Sequence, residues 1–443
     1  MVALFALSLA AVTETRVVFR APAEQEYAIV RPGGTTILPN GRFLSPKGKR
    51  LYGLSNAWST HLHPDQKRIY LFHDGGYTTY PDWTAAKPIR TTVQRRDPAY
   101  CAAFFKDGKR MMISLGEDGA IQIVNAETGA EILTMSANVD GAKLSYVNDL
   151  VLSPGEKFCY AVDVANQDLL TFDLELGKLV SRTKAGREPY AIAMNRDGTR
   201  LFVANIGLFD YSLIPGMTAQ NPGLQVPAFA FPSKEAEEGV EDQGFKVPGL
   251  GKADVPDAHS IFAYNLRQPS APRKVGEVKT GVMIHSLADN GKAVGGSAPC
   301  AVLVKDQMLF VSNSNNDTVQ VFETSNLKLM RTIKFAPVKE LARYRGIIPS
   351  SMTINRRGDR LFVCESGINA VAVIDPRSGR FLYHIPTGWW PTSLQLTQDE
   401  RKLLISTQKG IGRGPRGEKH QRPADDERFG FPDMPSMVDI VTL

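Results

Sequence analysis

The chain has 443 residues, 43% hydrophobic and 22% charged, with a formal net charge of +6 at pH 7 and a sequence pI near 9.0. That balance excludes a disordered chain and a membrane-embedded one, and 52 basic against 46 acidic residues is too mild an excess to require an acidic partner. The four cysteines, Cys101, Cys159, Cys300 and Cys364, lie in or beside apolar runs with no CxxC spacing, which argues for buried free thiols over a zinc site.

The chain opens on MVALFALSLAAVTETR, apolar from Val2 to Val12. This has the length of a signal-peptide core, without the usual basic lead, and is too short to cross a bilayer as a helix. Residues 1–33 therefore read as a signal-like segment and lead-in, and the protein is expected to be periplasmic or secreted. Residues 34–443 read as one domain.

A repeat then runs along the chain. KRMMISLGEDGAIQIVNAETGAEIL (from Lys109), EKFCYAVDVANQDLLTFDLELGKLV (from Glu156), QMLFVSNSNNDTVQVFETSNLKLM (from Gln307) and DRLFVCESGINAVAVIDPRSGRFL (from Asp359) align, with partial copies beginning at Lys67, Thr199 and Arg401. Polar turns such as HPDQ, KDGK and NRDG precede each copy at intervals of about 40–50 residues. One interval, from Asp197 to Asp306, is more than twice as long and must hold an insertion. Each copy predicts four antiparallel strands: A before the turn, the apolar B, C after a Gly/Asn/Asp hairpin turn, and D after a second turn. Strand B is apolar at consecutive positions, as in Leu361, Phe362, Val363 and Cys364, which marks a strand buried on both faces. Seven such units predict an all-β, seven-bladed propeller. The seventh unit ends on SMVDIVTL, a strand C with no D after it, so NGRFLSPKGKRLYGL (Asn40–Leu54) is expected to close the ring by supplying the missing strand.

Extra length collects on one side of this ring. Insertions at 208–258 and 409–435 fall between strands B and C of the fourth and seventh units, and long D–A connections run through 281–299 and 336–349. Long connections in a compact domain are usually functional, so this face is the expected binding face. Its candidates are Trp58, Arg95, Arg96, Arg187, Glu188, Tyr190, Arg345, Trp389 and Trp390 from D–A connections, and His73, Asn205, Asn313 and Glu365 from strand B ends. Arginines with aromatics suit an anionic or planar ligand or a protein hot spot. His61, with His63 two residues on, lies on the innermost strand, but no third metal ligand is evident. The acidic run SKEAEEGVEDQG (Ser233–Gly244) reads as a solvated loop, and GIGRGPRG (Gly410–Gly417) as a flexible basic loop without a dinucleotide fingerprint.

The segments LFVANIG, LFVSNSNNDTVQVFE and LFVCESGINAVAVID resemble YVTN-type propeller repeats of the YncE-like family. The stretches ILPNGRFLSPKGK, FPSKEAEEGVEDQGFKVPGLGKADVPDAHS, NGKAVGGSAP and IPTGWWPTSLQL look like the N-terminal propeller of bacterial fusion proteins that join a YncE-like domain to an alkaline-phosphatase-family phosphoesterase. The resemblance covers the propeller half alone, so it places no phosphatase residues on this chain. It implies a non-catalytic ligand- or protein-binding scaffold, exported and paired with a phosphoesterase, with no catalytic residue, metal or cofactor of its own. The alternatives are a propeller-type lactonase, which would need His61, Arg187 and Glu365 to converge, and a nucleic-acid-binding protein, which the absence of a long basic block disfavours.

Overall fold

The computed structural model describes residues 20–31, 33–94, 100–140, 142–218, 224–242, 244–284, 295–336, 345–412 and 434–443. Seven four-stranded antiparallel sheets form a ring. In the order A to D, blade 1 is Ser59–Leu62, Ile69–His73, Gly76–Tyr80 and Thr91–Gln94, and blade 2 is Ala102–Phe104, Arg110–Ser114, Ala120–Asn125 and Glu131–Ser136. Blade 3 is Val147–Leu152, Phe158–Asp163, Asp168–Asp173 and Lys178–Lys184. Blade 4 is Pro189–Met194, Arg200–Asn205, Ser260–Asn265 and Arg273–Lys279. Blade 5 is Pro299–Lys305, Met308–Asn313, Thr318–Glu323 and Leu329–Lys334, and blade 6 is Pro349–Ile354, Leu361–Glu365, Ala370–Asp375 and Arg380–Pro386. Blade 7 takes strands A to C from Pro391–Leu396, Lys402–Thr407 and Pro435–Thr442, and its strand D is Lys49–Ser55. Lys49 pairs with Ile440 and Leu51 with Val438, so the start of the domain closes the ring against its end. The expected strand exchange is thus present, carried by the second half of Asn40–Leu54. Phe43–Leu44 turns back instead to pair with Thr36–Ile37.

The core is a series of apolar slabs between blades rather than one central mass. Phe362 and Cys364 pack with Leu394, Leu403 and Ile405 of blade 7. Leu361 and Val363, alternate residues of the same strand, pack with Phe310 and Val321 of blade 5. Period-two alternation therefore sends both sets of side chains into apolar contacts, which is why strand B carries no polar face. Each fully buried side chain of this kind contributes roughly 1.5–3 kcal/mol.

The tight turns explain the polar repeats. Asp65 Oδ1 accepts from Lys67 N at 2.8 Å and Arg68 N at 3.0 Å, and Asp107 Oδ1 accepts from Lys109 N at 2.7 Å and Arg110 N at 3.1 Å. These are Asx-type turns, in which a short acidic side chain replaces a backbone acceptor.

The blade-four insertion is more ordered than its sequence suggests. Ser233 Oγ accepts from Ala236 N at 3.0 Å and caps a short helix, Lys234–Glu238, with Glu235 and Glu237 in its first turn. A hairpin of Gly239–Asp242 and Phe245–Pro248 follows. The acidic run is thus a capped turn of helix and a strand, because carboxylates are favoured where a helix exposes its N–H groups. Residues 1–19, Arg95, Arg96, 285–294, 337–344 and most of the second insertion, 413–433, lie outside the described residues. Among the described residues no helix is long and apolar enough to cross a membrane.

Candidate functional site: the mouth of the central channel

Four blades begin strand A in the same unusual way. Glu188, Ala298, Ile348 and Trp390 each precede a proline and have φ of 48°, 50°, 56° and 64°. A residue before proline is normally driven to extended backbone, and a β-branched residue such as Ile348 rarely adopts left-handed geometry. The conformation is held from outside. The carbonyls of these four residues accept from Ile206 N at 3.0 Å, Ser314 N at 3.1 Å, Ser366 N at 3.1 Å and Gln408 N at 2.9 Å. One residue earlier, Arg187 O accepts from Gly207 N at 2.9 Å and Ile347 O from Gly367 N at 2.9 Å. The D–A and B–C connections are thereby zipped together around the channel mouth. Their approach is close enough that a Cβ on Gly367 would lie 1.8 Å from Gly346 O. Gly367→Ala is therefore expected to cost about 2 kcal/mol in urea denaturation. A loss under a few tenths would show that the connections can separate freely.

Immediately after this turn, strand A slips its register in blades 3 to 7, for example between Pro189 and Ala191 and between Pro391 and Ser393. Such bulges re-aim side chains and are frequent beside functional sites. Aligned on their strand B partners, the seven blades place two successive rings of residues on the channel. The outer ring is Trp58, Tyr100, Asn148, Tyr190, Cys300, Ser350 and Thr392, and the inner ring is Ser59, Cys101, Asp149, Ala191, Ala301, Ser351 and Ser393. Together with Trp390, Met352 and a few neighbours, they line a cavity of about 490 Å³.

The mouth is not symmetric. Blades 1, 2 and 4 contribute Trp58, Tyr100 and Tyr190, while blades 5 to 7 contribute a thiol and two hydroxyls. The Trp58 and Tyr100 rings stand 5.8 Å apart, and Tyr100 and Tyr146 stand 5.5 Å apart. Trp58 Nε1 donates to Asp74 Oδ1 at 3.1 Å, which fixes the indole. Asp149 is the one charged side chain among the described lining residues. Its Oδ2 accepts from Ile192 N at 2.9 Å and its Oδ1 from Leu150 N at 2.9 Å. Burial nevertheless raises its pKa above the ordinary carboxylate value. Burial likewise raises the thiols of Cys101 and Cys300, which keeps them protonated and poorly nucleophilic.

The residues singled out from sequence separate into distinct groups. Trp58, Tyr190 and Trp390 line the cavity. His61 is on the innermost strand, where its Nε2 lies 2.9 Å from Ser59 Oγ, and burial lowers its pKa to about 4. His63 turns away to Gly108 O at 2.6 Å, so the two histidines do not form a pair. Among the described residues there is no group of three or more His, Cys, Asp or Glu that would hold a metal. Glu188 is half-buried, and burial raises its carboxyl, with the Lys143 ammonium opposing. Arg345 is exposed and is not part of the cavity lining.

Several candidates hold the scaffold instead of facing a ligand. His73, Asn205, Asn313 and Glu365 are 0% exposed, and occupy the same register, the last residue of strand B, as Asp163 and Thr407. Each satisfies polar groups within its own blade or the connection entering it. Asn205 Oδ1 accepts from Gly186 N at 3.0 Å, His73 Nε2 lies 3.0 Å from Thr78 Oγ1, Asn313 Nδ2 donates to Gln320 Oε1 at 3.1 Å, and Glu365 pairs with His384 Nδ1 at 2.7 Å. Arg187 is also buried. It donates to Lys252 O at 2.8 Å and to Leu208 O, tying the insertion to the blade. Trp389 packs on Leu38, Leu44, Ile411 and Met437 beneath the N-terminal hairpin. His61, Arg187 and Glu365 are thus engaged with three different partners, and the constellation a lactonase would need is not assembled.

Tyr100, Asn148, Asp149, Cys101 and the Ser350–Ser351 pair were not legible as site residues. A signal did exist: they occupy the first two positions after the proline or its equivalent in each strand A. In blades 3 to 7 it is the register slips, which sequence does not show, that accompany both positions reaching the channel.

No family model matches the chain, and no curated protein matches it. Among solved structures, the chain is similar to Kuenenia stuttgartiensis hydrazine synthase, with a TM-score of 0.52 and 12% identity over 80% of this chain and 93% of that one. The likeness is one of fold. With 1502 solved chains matching, propeller shape by itself assigns no activity, and the site must be judged on its own residues.

Proposed function

We propose that the chain is a non-catalytic binding scaffold whose small ligand seats in the mouth of the central channel. The observation that carries this reading is the cavity of about 490 Å³, within the range of small-molecule pockets, walled by Trp58, Tyr100 and Tyr190 on one side and by Trp390 with small polar residues on the other. Strained, externally held backbone at Glu188, Ala298, Ile348 and Trp390 pre-organises it. Among the described residues the mouth presents a single carboxylate and thiols kept protonated by burial; Ser59 Oγ lies 2.9 Å from His61 Nε2, and neither Arg187 nor Glu365 joins that contact. The resemblance to YncE-like propellers supports a scaffold role, makes a phosphoesterase the first protein partner to try, and with the apolar Val2–Val12 segment supports a periplasmic or secreted location.

Ligand-observed NMR with a library of small aromatic and amine fragments is expected to yield binders whose signals disappear in Trp58→Ala and Tyr190→Ala. Binding indifferent to both substitutions would remove the mouth as the site. Turnover of lactones or phosphomonoesters above buffer, lost in Asp149→Asn, would replace the scaffold reading with an enzymatic one.

A further inference from the structure

The chemistry of the mouth narrows the class of ligand. This step rests on the mouth being the binding site. Arginines were the sequence-level reason to expect an anion. Arg187 is spent on the Lys252 and Leu208 carbonyls, and Arg345 is exposed away from the lining. Arg95 and Arg96 lie outside the described residues, and what the described lining offers is aromatic side chains and one carboxylate.

The carboxylate is more than a structural pin. Asp149 Oδ2 accepts the Ile192 amide of the next blade at 2.9 Å. The same inner-ring position in blade 7 makes the same inter-blade bond with a serine: Ser393 Oγ accepts from Thr60 N at 2.9 Å. A hydroxyl is therefore sufficient for that inter-blade bond; Asp149 also accepts from Leu150 N at 2.9 Å and from the Cys101 thiol, and none of these three donors carries a charge. Among the described residues, no lysine, arginine or histidine pairs with it. A carboxylate that has hydrogen-bond donors but no cationic partner, in a half-enclosed site, gains most from a cationic guest.

The aromatics fit the same guest. The faces of Trp58, Tyr100 and Tyr190 belong to blades 1, 2 and 4, on either side of Asp149 in blade 3. The chain already uses the alternative surface for its own cation: Lys409 Nζ lies 4.9 Å from the Trp389 ring and 5.3 Å from the Trp390 ring. Trp58, Tyr100 and Tyr190 lie on the side of the mouth where the carboxylate stands, with the Trp58 and Tyr100 rings 5.8 Å apart.

We propose that the channel mouth selects a small organic cation, of the quaternary or substituted ammonium class, held against Trp58, Tyr100 and Tyr190 with its charge over Asp149. Cation–π contact and charge pairing then act on the same group.

The test uses choline and its neutral carbon isostere, 3,3-dimethylbutan-1-ol, titrated into the full chain by calorimetry, with tryptophan fluorescence as a second readout. Choline is expected to bind at least about tenfold more tightly than the isostere, and this preference is expected to vanish in Asp149→Asn, whose amide oxygen retains the Ile192 bond. Trp58→Ala and Tyr190→Ala are expected to weaken choline itself. The comparison of the two probes on the unaltered chain needs no variant, so a misfolded mutant leaves it intact. Equal affinity for both probes, abolished by Trp58→Ala, would overturn the cation assignment while leaving the mouth as the binding site. Choline that fails to bind at millimolar concentration, or binds without regard to any of the three substitutions, would overturn the assignment outright.

Discussion

Leu51→Asp is expected to destabilise the propeller by about 3–5 kcal/mol, the range for burying an unpaired charge in place of a core leucine. Leu51 is 3% exposed, pairs with Val438 across the closing seam, and packs with Leu62, Leu71 and Leu404. It thus joins the strand contributed from the start of the domain to blades 7 and 1 at once. A carboxylate there would be desolvated without a partner, and loss of the strand would expose the edge of Pro435–Thr442 to intermolecular pairing. Urea denaturation followed by far-UV circular dichroism measures the loss, and light scattering detects association of the opened rings. A change under about 0.5 kcal/mol would mean that the seam contributes nothing to the closed ring.

Asp439→Asn should do the opposite, increasingly as pH rises from about 4 to about 7. Asp439 is 0% exposed, its Oδ2 accepts from Gly388 N at 2.7 Å, and its Oδ1 is buried without a hydrogen-bond partner. Burial pushes its pKa up to about 7, with the Gly388 amide and the Arg50 charge offsetting part of the effect. An acid whose folded pKa is raised holds its proton in the folded state over a window where the unfolded chain has released it. Stability from this group is full below the ordinary carboxyl range near 4 and is lost as pH rises to about 7. The difference corresponds to roughly 4 kcal/mol at most, and relaxation of the surroundings will reduce it. Asparagine keeps the Gly388 bond and never ionises. The variant is therefore expected to match the parent near pH 4 and to exceed it by about 2–4 kcal/mol at pH 8. Parallel stability–pH curves for the two proteins would show that Asp439 does not titrate in this window.

Both residues lie on the seam that closes the ring, a feature plain from the repeat: seven copies of B, and a final strand C with no D after it. The same repeat read equally well as turns and buried strands, because local rules fix these. Asp65 and Asp107 make turns from their own side chains, and Leu361 to Cys364 must be apolar at every position once neighbours pack on both sides. The acidic run Ser233–Gly244 was misread as a loop because its one-turn helix depends on a single cap and on backbone contacts such as Leu250 N to Ala236 O at 2.7 Å.

The candidate site was legible only in outline. Sequence identified the face, and three of the aromatics that line its mouth, Trp58, Tyr190 and Trp390. It also drew in His73, Asn205, Asn313 and Glu365, because a polar residue at the end of a strand looks alike whether it faces solvent or pins a neighbouring connection. Polarity is a property of the residue, whereas availability is set by what packs over it.

The amino-acid sequence by itself determined the number of blades, the strands within them, the turns and the exchange that closes the ring, all of which follow from short-range periodicity and from the need to cover strand edges. The tertiary structure alone decided which side chains meet at the axis. That outcome depends on seven strands A converging from distant parts of the chain, on the register slips near Asn148, Tyr190, Cys300, Ser350 and Thr392, and on the left-handed turns that hold them. Asp149 beside Tyr100 and Tyr190 is a neighbourhood created by ring closure, and no local pattern in the chain encodes it.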